Sequence, residues 1–155
     1  MHKTLLASSG TRALGSIISK YKLNKDMYFE VFSKLYNTCV VPVLDYGSEV
    51  WGLHKCTEVE RVQNHAARVF LGVNRYTPIL SIQGDTGWQL CQTRINLNML
   101  RFWNRLLSMG DDRLCKHIFL WDHELQYNIW SCYIKDLLNV CNLDIFERKI
   151  VCDML

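Results

Sequence analysis

The sequence predicts an all-α fold: an irregular, single-domain helical bundle of about seven to nine helices over residues 1–155. Three observations carry that expectation. Apolar residues recur at intervals of three and four through most of the chain, the period of a helix with one buried face. No stretch shows the strict apolar–polar alternation of a half-buried strand. Short polar connections, with no repeat and no low-complexity linker, separate the periodic segments, which suits an irregular bundle.

Leu6, Ala13, Leu14, Ile17 and Ile18 predict a first helix that ends in the polar run Lys20 to Lys25. Met27 to Val40 predicts a second, with Phe29, Phe32, Leu35 and Tyr36 at helical spacing. Pro42 suits the first turn of a third, where its missing N–H is not needed. Val43, Leu44, Gly47, Val50 and Trp51 are expected on the inner side of that helix, and Gly52 at its end. Glu58 to Leu71 is the cleanest amphipathic segment: Val59, Val62, Ala66, Val69 and Phe70 share one stripe, and Arg61, His65 and Arg68 lie opposite. Glu58 and Glu60 complement the helix dipole in the first turn, and Gly72 is placed as a C-terminal cap. Thr77-Pro78 reads as the cap and first position of a short helix broken at Gly84-Asp85-Thr86-Gly87. Trp88 to Met109 is the longest helical stretch, with Leu90, Ile95, Met99, Phe102, Trp103, Leu106 and Leu107 inward and Arg94, Arg101 and Arg105 along one polar strip. Further helices are expected around Leu114–Trp121, Ile129–Cys141 and Leu143–Cys152.

With 49% apolar and 21% charged residues, two prolines and eight glycines, the chain is neither disordered nor collagen-like. No run approaches the eighteen or so apolar residues of a membrane span, and the first ten residues are too weakly apolar for a secretory signal, so an intracellular, cytoplasmic or nuclear protein without a membrane partner is expected. Five Trp, seven Tyr and six Phe can fill a sizeable core. The seven cysteines, at 39, 56, 91, 115, 132, 141 and 152, are odd in number and scattered, which argues for small buried hydrophobes on helical faces rather than disulfides. The net charge of +3 is unevenly placed. Residues 1–40 carry six Lys/Arg against two acids, residues 41–110 seven against five, and residues 111–155 five against eight. A basic front points to a polyanionic partner, and a solvated surface of mixed charge explains it equally well.

Catalytic signatures are largely missing: the sequence has no GxGxxG, Walker loop, HExxH or GxSxG. Cys115, His117, His123 and Cys132 match no common zinc spacing, and Asp111-Asp112 reads as a helix-ending turn. No cofactor and no metal is expected.

A series of short words is more specific. Leu35-Tyr36 is followed by Val41-Pro42-Val43-Leu44-Asp45-Tyr46-Gly47-Ser48-Glu49-Val50-Trp51-Gly52, then by Val62-Gln63-Asn64-His65-Ala66-Ala67-Arg68-Val69-Phe70-Leu71-Gly72-Val73. Thr77-Pro78, Gly84-Asp85-Thr86-Gly87-Trp88 and Arg101-Phe102-Trp103-Asn104-Arg105-Leu106 come next. In this order and spacing they resemble the C-terminal, thumb and post-thumb, part of reverse transcriptases of non-LTR (LINE-type, jockey-like) retrotransposons, over about residues 10–140. The resemblance implies thumb-like helices over about 1–75 and post-thumb helices over about 76–155. It implies no catalytic residue here, because the palm aspartates of such polymerases have no counterpart in these words. It implies a template–primer role in the full enzyme, with a palm domain and RNA or an RNA–DNA hybrid as partners, held weakly and without sequence preference.

Phosphate contact calls for cations on one helical face backed by an apolar one. Arg61, His65, Arg68 and Arg75 have that design, with Arg94, Arg101 and Arg105 as a second set. Tyr46, Gly47, Trp51, Gly52, Gly72, Pro78, Gly87 and Trp88 are expected to be structural: Gly47 for close helix approach, Tyr46 and Trp51 as core anchors. Trp88, Trp103, Trp121 and Trp130 are likewise expected in the core. Two alternatives stay open beside the nucleic-acid reading: a helical protein-interaction module and a transposon remnant without function.

Overall fold

The computed structural model describes residues 2–23, 27–125 and 128–142. The expected all-α architecture is what forms, and among the described residues there is no strand. In chain order the helices are α1 (His2–Leu23), α2 (Phe29–Cys39), α3 (Val41–Leu44), α4 (Ser48–Trp51), α5 (Thr57–Leu71), α6 (Ile79–Thr86), α7 (Cys91–Leu107), α8 (Leu114–Leu125) and α9 (Ile129–Val140). No helix among them is long and apolar enough to cross a membrane. The expected helix at 143–152 lies outside the described residues.

The chain forms two compact units, residues 1–48 with 54–95 and residues 49–53 with 96–155. Along the later chain the division between the units falls at Ile95. The reason is local: α6 packs on α5, Arg68 donates to Thr77 O, and Gln63 Nε2 donates to Gln89 O. These contacts bind residues 77–89 to the preceding helices.

In the first unit α1 runs against α5, α2 and α3. Leu14, Ile17, Phe32, Val40, Leu44, Val59, Val62 and Ala66 are buried between them, the larger ones contributing about 1.5–3 kcal/mol each by leaving water. Phe29, Phe32, Tyr36, Phe70 and Trp88 form one aromatic cluster, with Trp88 stacked on Tyr36 at 4.4 Å between centroids. Gly10 is where α1 meets the Leu44 side chain. A Cβ there would lie 2.3 Å from Leu44 Cδ2, so only glycine permits the approach.

In the second unit Met99, Trp103, Leu106, Phe119, Ile134 and Leu138 are buried. Trp130 Nε1 donates to Glu49 O at 2.7 Å, and Tyr133 Oη donates to Asn96 Oδ1 at 3.1 Å. Asn128 caps α9 by accepting from Trp130 N. Ser131 Oγ donates to Asp122 Oδ2 and buried Lys116 pairs with Asp111, so these two inward-drawn polar groups are matched.

Several expectations need correction. The third helix is two short turns, interrupted over residues 45–47, where Gly47 takes a left-handed φ of 65°. Gly47 is therefore a turn residue. Tyr46, in the same turn, is 70% exposed and Val50 is exposed too, so neither anchors a core. Trp51 is half-buried and Gly52 is buried. Pro78 stands one residue before α6, and Thr77 lies outside it. Helix α6 continues through Gly84 to Gly87, whose φ of 64° ends it. Leu90 precedes α7 and is exposed, as is Trp121 on α8. Of the described cysteines, Cys56 and Cys91 are buried, while Cys39, Cys115, Cys132 and Cys141 are exposed, and none of the six is in a disulfide.

Replacing Gly10 by Ala should destabilise the protein by about 1–3 kcal/mol through overpacking against Leu44, read as a lower urea midpoint at unchanged slope. Gly15 on the same helix has open space, so Gly15→Ala should not destabilise.

Candidate nucleic-acid interface

The candidate interface is built on α5. Its apolar stripe, Val59, Val62 and Ala66, is buried, with Gln63, Asn64 and Ala67 drawn in beside it. Backbone hydrogen bonding at the helix start holds the Glu58 carboxyl below the usual carboxylate range. Gly72, at a φ of 65°, ends the helix with its N–H bonded to Arg68 O. The opposite face presents Arg61 and His65 to solvent.

Arg68 does not join them. The reversal at Gly72 brings residues 73–77 back over the last turn, and Arg68 Nη2 donates to Thr77 O at 3.3 Å from a half-buried position. Its role is to hold that return. Arg75 lies beyond the reversal, exposed, with its guanidinium 4.7 Å above the Tyr76 ring.

The second set is split. Arg94 turns inward, where Nε and Nη2 meet Asp45 Oδ2 and Oδ1 at 2.5 and 3.0 Å. Its Nη1 donates to Gln63 Oε1 at 2.9 Å, and Cys91 Sγ donates to the same oxygen at 3.2 Å. Burial works against the Arg94 charge, but the hydrogen bonds and charge of Asp45 outweigh it and hold its pKa above the ordinary value. Burial pushes the Cys91 thiol up to about 11, so it stays a protonated donor at neutral pH. Arg94 is thus a structural cation and is withdrawn from the candidate interface. Arg101 and Arg105, in the second unit, are exposed. Arg101 donates to Asn98 Oδ1, Arg105 lies 5.2 Å over the Phe102 ring, and both border a depression of about 360 Å³ with Glu49.

The first unit also exposes cations that were not singled out from the sequence: Arg12, Lys20, Lys22, Lys34 and Lys55. For all but Lys55 the signal is the basic front itself, six cations in the first forty residues. Among the described residues of this unit only Glu30 and Asp85 are exposed acids. No three His, Cys, Asp or Glu side chains among the described residues converge on a metal-sized site. The Asp111 carboxylate is instead taken by Lys116 Nζ at 2.7 Å.

No family model matches the chain, and no curated protein or solved structure matches it either.

Removing one partner of a buried ion pair strands the other charge. Arg94→Ala should therefore cost about 3 kcal/mol in chemical unfolding, while Arg61→Ala, on the open face, should stay within about 0.5 kcal/mol of the parent.

Proposed function

We propose that the chain is a non-catalytic nucleic-acid-holding module of the thumb and post-thumb type found in non-LTR retrotransposon reverse transcriptases. In this reading its first unit grips the phosphate backbone of RNA or an RNA–DNA hybrid. The observation that supports it is the imbalance of exposed charge in that unit: Arg12, Lys20, Lys22, Lys34, Lys55, Arg61 and Arg75 against Glu30 and Asp85. Exposed cations in excess attract a polyanion at long range and release its counterions on contact. Arg61, His65 and Arg75 make the phosphate contacts, with Arg101 and Arg105 secondary. The module brings no catalytic acids of its own, so the purified chain should not extend a primer on an RNA template.

A second reading, a helical protein-interaction module, draws on the second unit. There Val50, Ile118 and Trp121 are exposed beside a mainly apolar depression of about 560 Å³. Exposed apolar surface of that kind marks a partner face, which in a full polymerase would meet a neighbouring domain such as the palm.

The nucleic-acid reading predicts weak, sequence-tolerant binding of a short RNA–DNA hybrid, on the order of 10⁻⁴ to 10⁻⁶ M. The logarithmic salt dependence should become shallower by about 0.9 for each phosphate contact removed in Arg61→Ala, Arg75→Ala and the double variant. An unchanged slope in the double variant would take these residues off the binding face.

A further inference from the structure

A second feature of the first unit is independent of its surface charge. Tyr36, Asn37, Gln63, Gly87, Trp88 and Gln89, with Arg94 at the back, line a pocket of about 230 Å³. Tyr36 is 1% exposed, yet its hydroxyl has no hydrogen-bond partner among the described residues. A buried hydroxyl without a partner is costly, and the great majority of such groups are satisfied in native proteins. Burial pushes the Tyr36 phenol well above its ordinary pKa, so it remains a donor at neutral pH. The Arg94 guanidinium is already engaged by Asp45 and Gln63. The pocket is therefore close to electrically neutral, with one unused donor.

The rest of the lining narrows the ligand. Trp88 is fixed, its Nε1 donating to Ser33 Oγ at 2.9 Å and its ring parallel to Tyr36 within 13°. Asn37 and Gln89 are exposed, and each side-chain amide offers a donor and an acceptor. At about 230 Å³ the pocket falls below the roughly 300–1,000 Å³ of sites for drug-sized ligands. It has room for one small planar group rather than a nucleotide. Aromatic walls with side-chain amides and a hydroxyl at the edge are the means by which proteins hold unstacked bases.

We infer that this pocket receives a single unpaired nucleobase, packed against the half-buried Trp88 ring and hydrogen-bonded by the Tyr36 hydroxyl and the amides of Asn37 and Gln89. This rests on the reading that the unit holds nucleic acid, and it adds a contact which a fully paired duplex cannot make. Single strands and unpaired ends should bind more tightly than a blunt duplex of equal charge. The Tyr36 hydroxyl should matter only for the unpaired form.

The test compares the full chain with Tyr36→Phe and with Asn37→Ala/Gln89→Ala. Each is titrated at low salt with a short single-stranded RNA and with a blunt RNA–DNA hybrid, and each is also unfolded thermally. Tyr36→Phe should weaken single-strand binding about five- to tenfold, leave the blunt hybrid unchanged, and leave the Tm equal or higher, because it deletes an unpartnered hydroxyl. The double amide variant, altered only at exposed side chains, should show the same selective loss. Equal binding of both nucleic acids, with neither variant discriminating between them, would overturn the pocket while sparing the basic surface. No binding of either nucleic acid by the parent chain would overturn both.

Discussion

The first unit depends on one interaction, the bidentate pair between Arg94 at the start of α7 and Asp45 in the turn after α3. Asp45 and Arg94 are 49 positions apart in the sequence, and Gln63 of α5 completes the node through its amide oxygen. Three segments are thereby fixed relative to one another. The geometry leaves little freedom, because a guanidinium fork matches a carboxylate in one plane. Gln63 then spends its amide N–H on Gln89 O, which ties the chain just before α7 to the same node. A partly buried charge pair is weak evidence for stability as such, since desolvation offsets much of its attraction. Its contribution here is register: α7 has one rotational setting in which Arg94 reaches Asp45 and Cys91 and Ile95 are buried.

That setting sorts the cations of the molecule. Arg94 is consumed by the fold, Arg68 is partly consumed by the return over α5, and Arg61 and Arg75 remain in solvent. Positive charge on the first unit is then a surface property of α1, α2, α5 and the segments beside them, and an excess over exposed acids follows directly. The same node shapes the Tyr36 pocket, because Arg94 and Gln63 form part of its wall. Structural electrostatics and the proposed recognition chemistry therefore share residues while using different atoms.

Much of this was legible in the sequence, and the failures have physical causes. Helix α5 was readable because each of its signals was local: an apolar stripe, acids in the first turn, and a glycine where the chain needs a left-handed residue. Arg94, Arg101 and Arg105 lie on one strip of α7 by spacing alone, but the helix leaves one compact unit and enters the other at Ile95. Its neighbours change along its length, so a single strip has no single environment. Arg68 was misplaced for a related reason: helical periodicity describes one helix and says nothing of the chain that folds back over its end. Pro42 in a first turn, with Val43, Leu44, Gly47, Val50 and Trp51 on one side, predicts a continuous helix through Tyr46 and Gly47. The positive φ at Gly47 is a backbone event that composition does not show. The buried amide of Gln63 carried no sequence signal, since glutamine on a helix is ordinarily a surface residue.

Nucleic-acid binding by the first unit depends on which arginines are structural and which are free to meet a polyanion. The most direct measurement follows the Nε–H resonances of the arginine side chains by NMR while a short RNA–DNA hybrid is added to the full chain. Arg61 and Arg75 should shift progressively with the hybrid and return with added salt, while Arg94, locked to Asp45, stays in place throughout. Movement of Arg94 with the hybrid, or stationary Arg61 and Arg75 at saturating hybrid, would contradict the account.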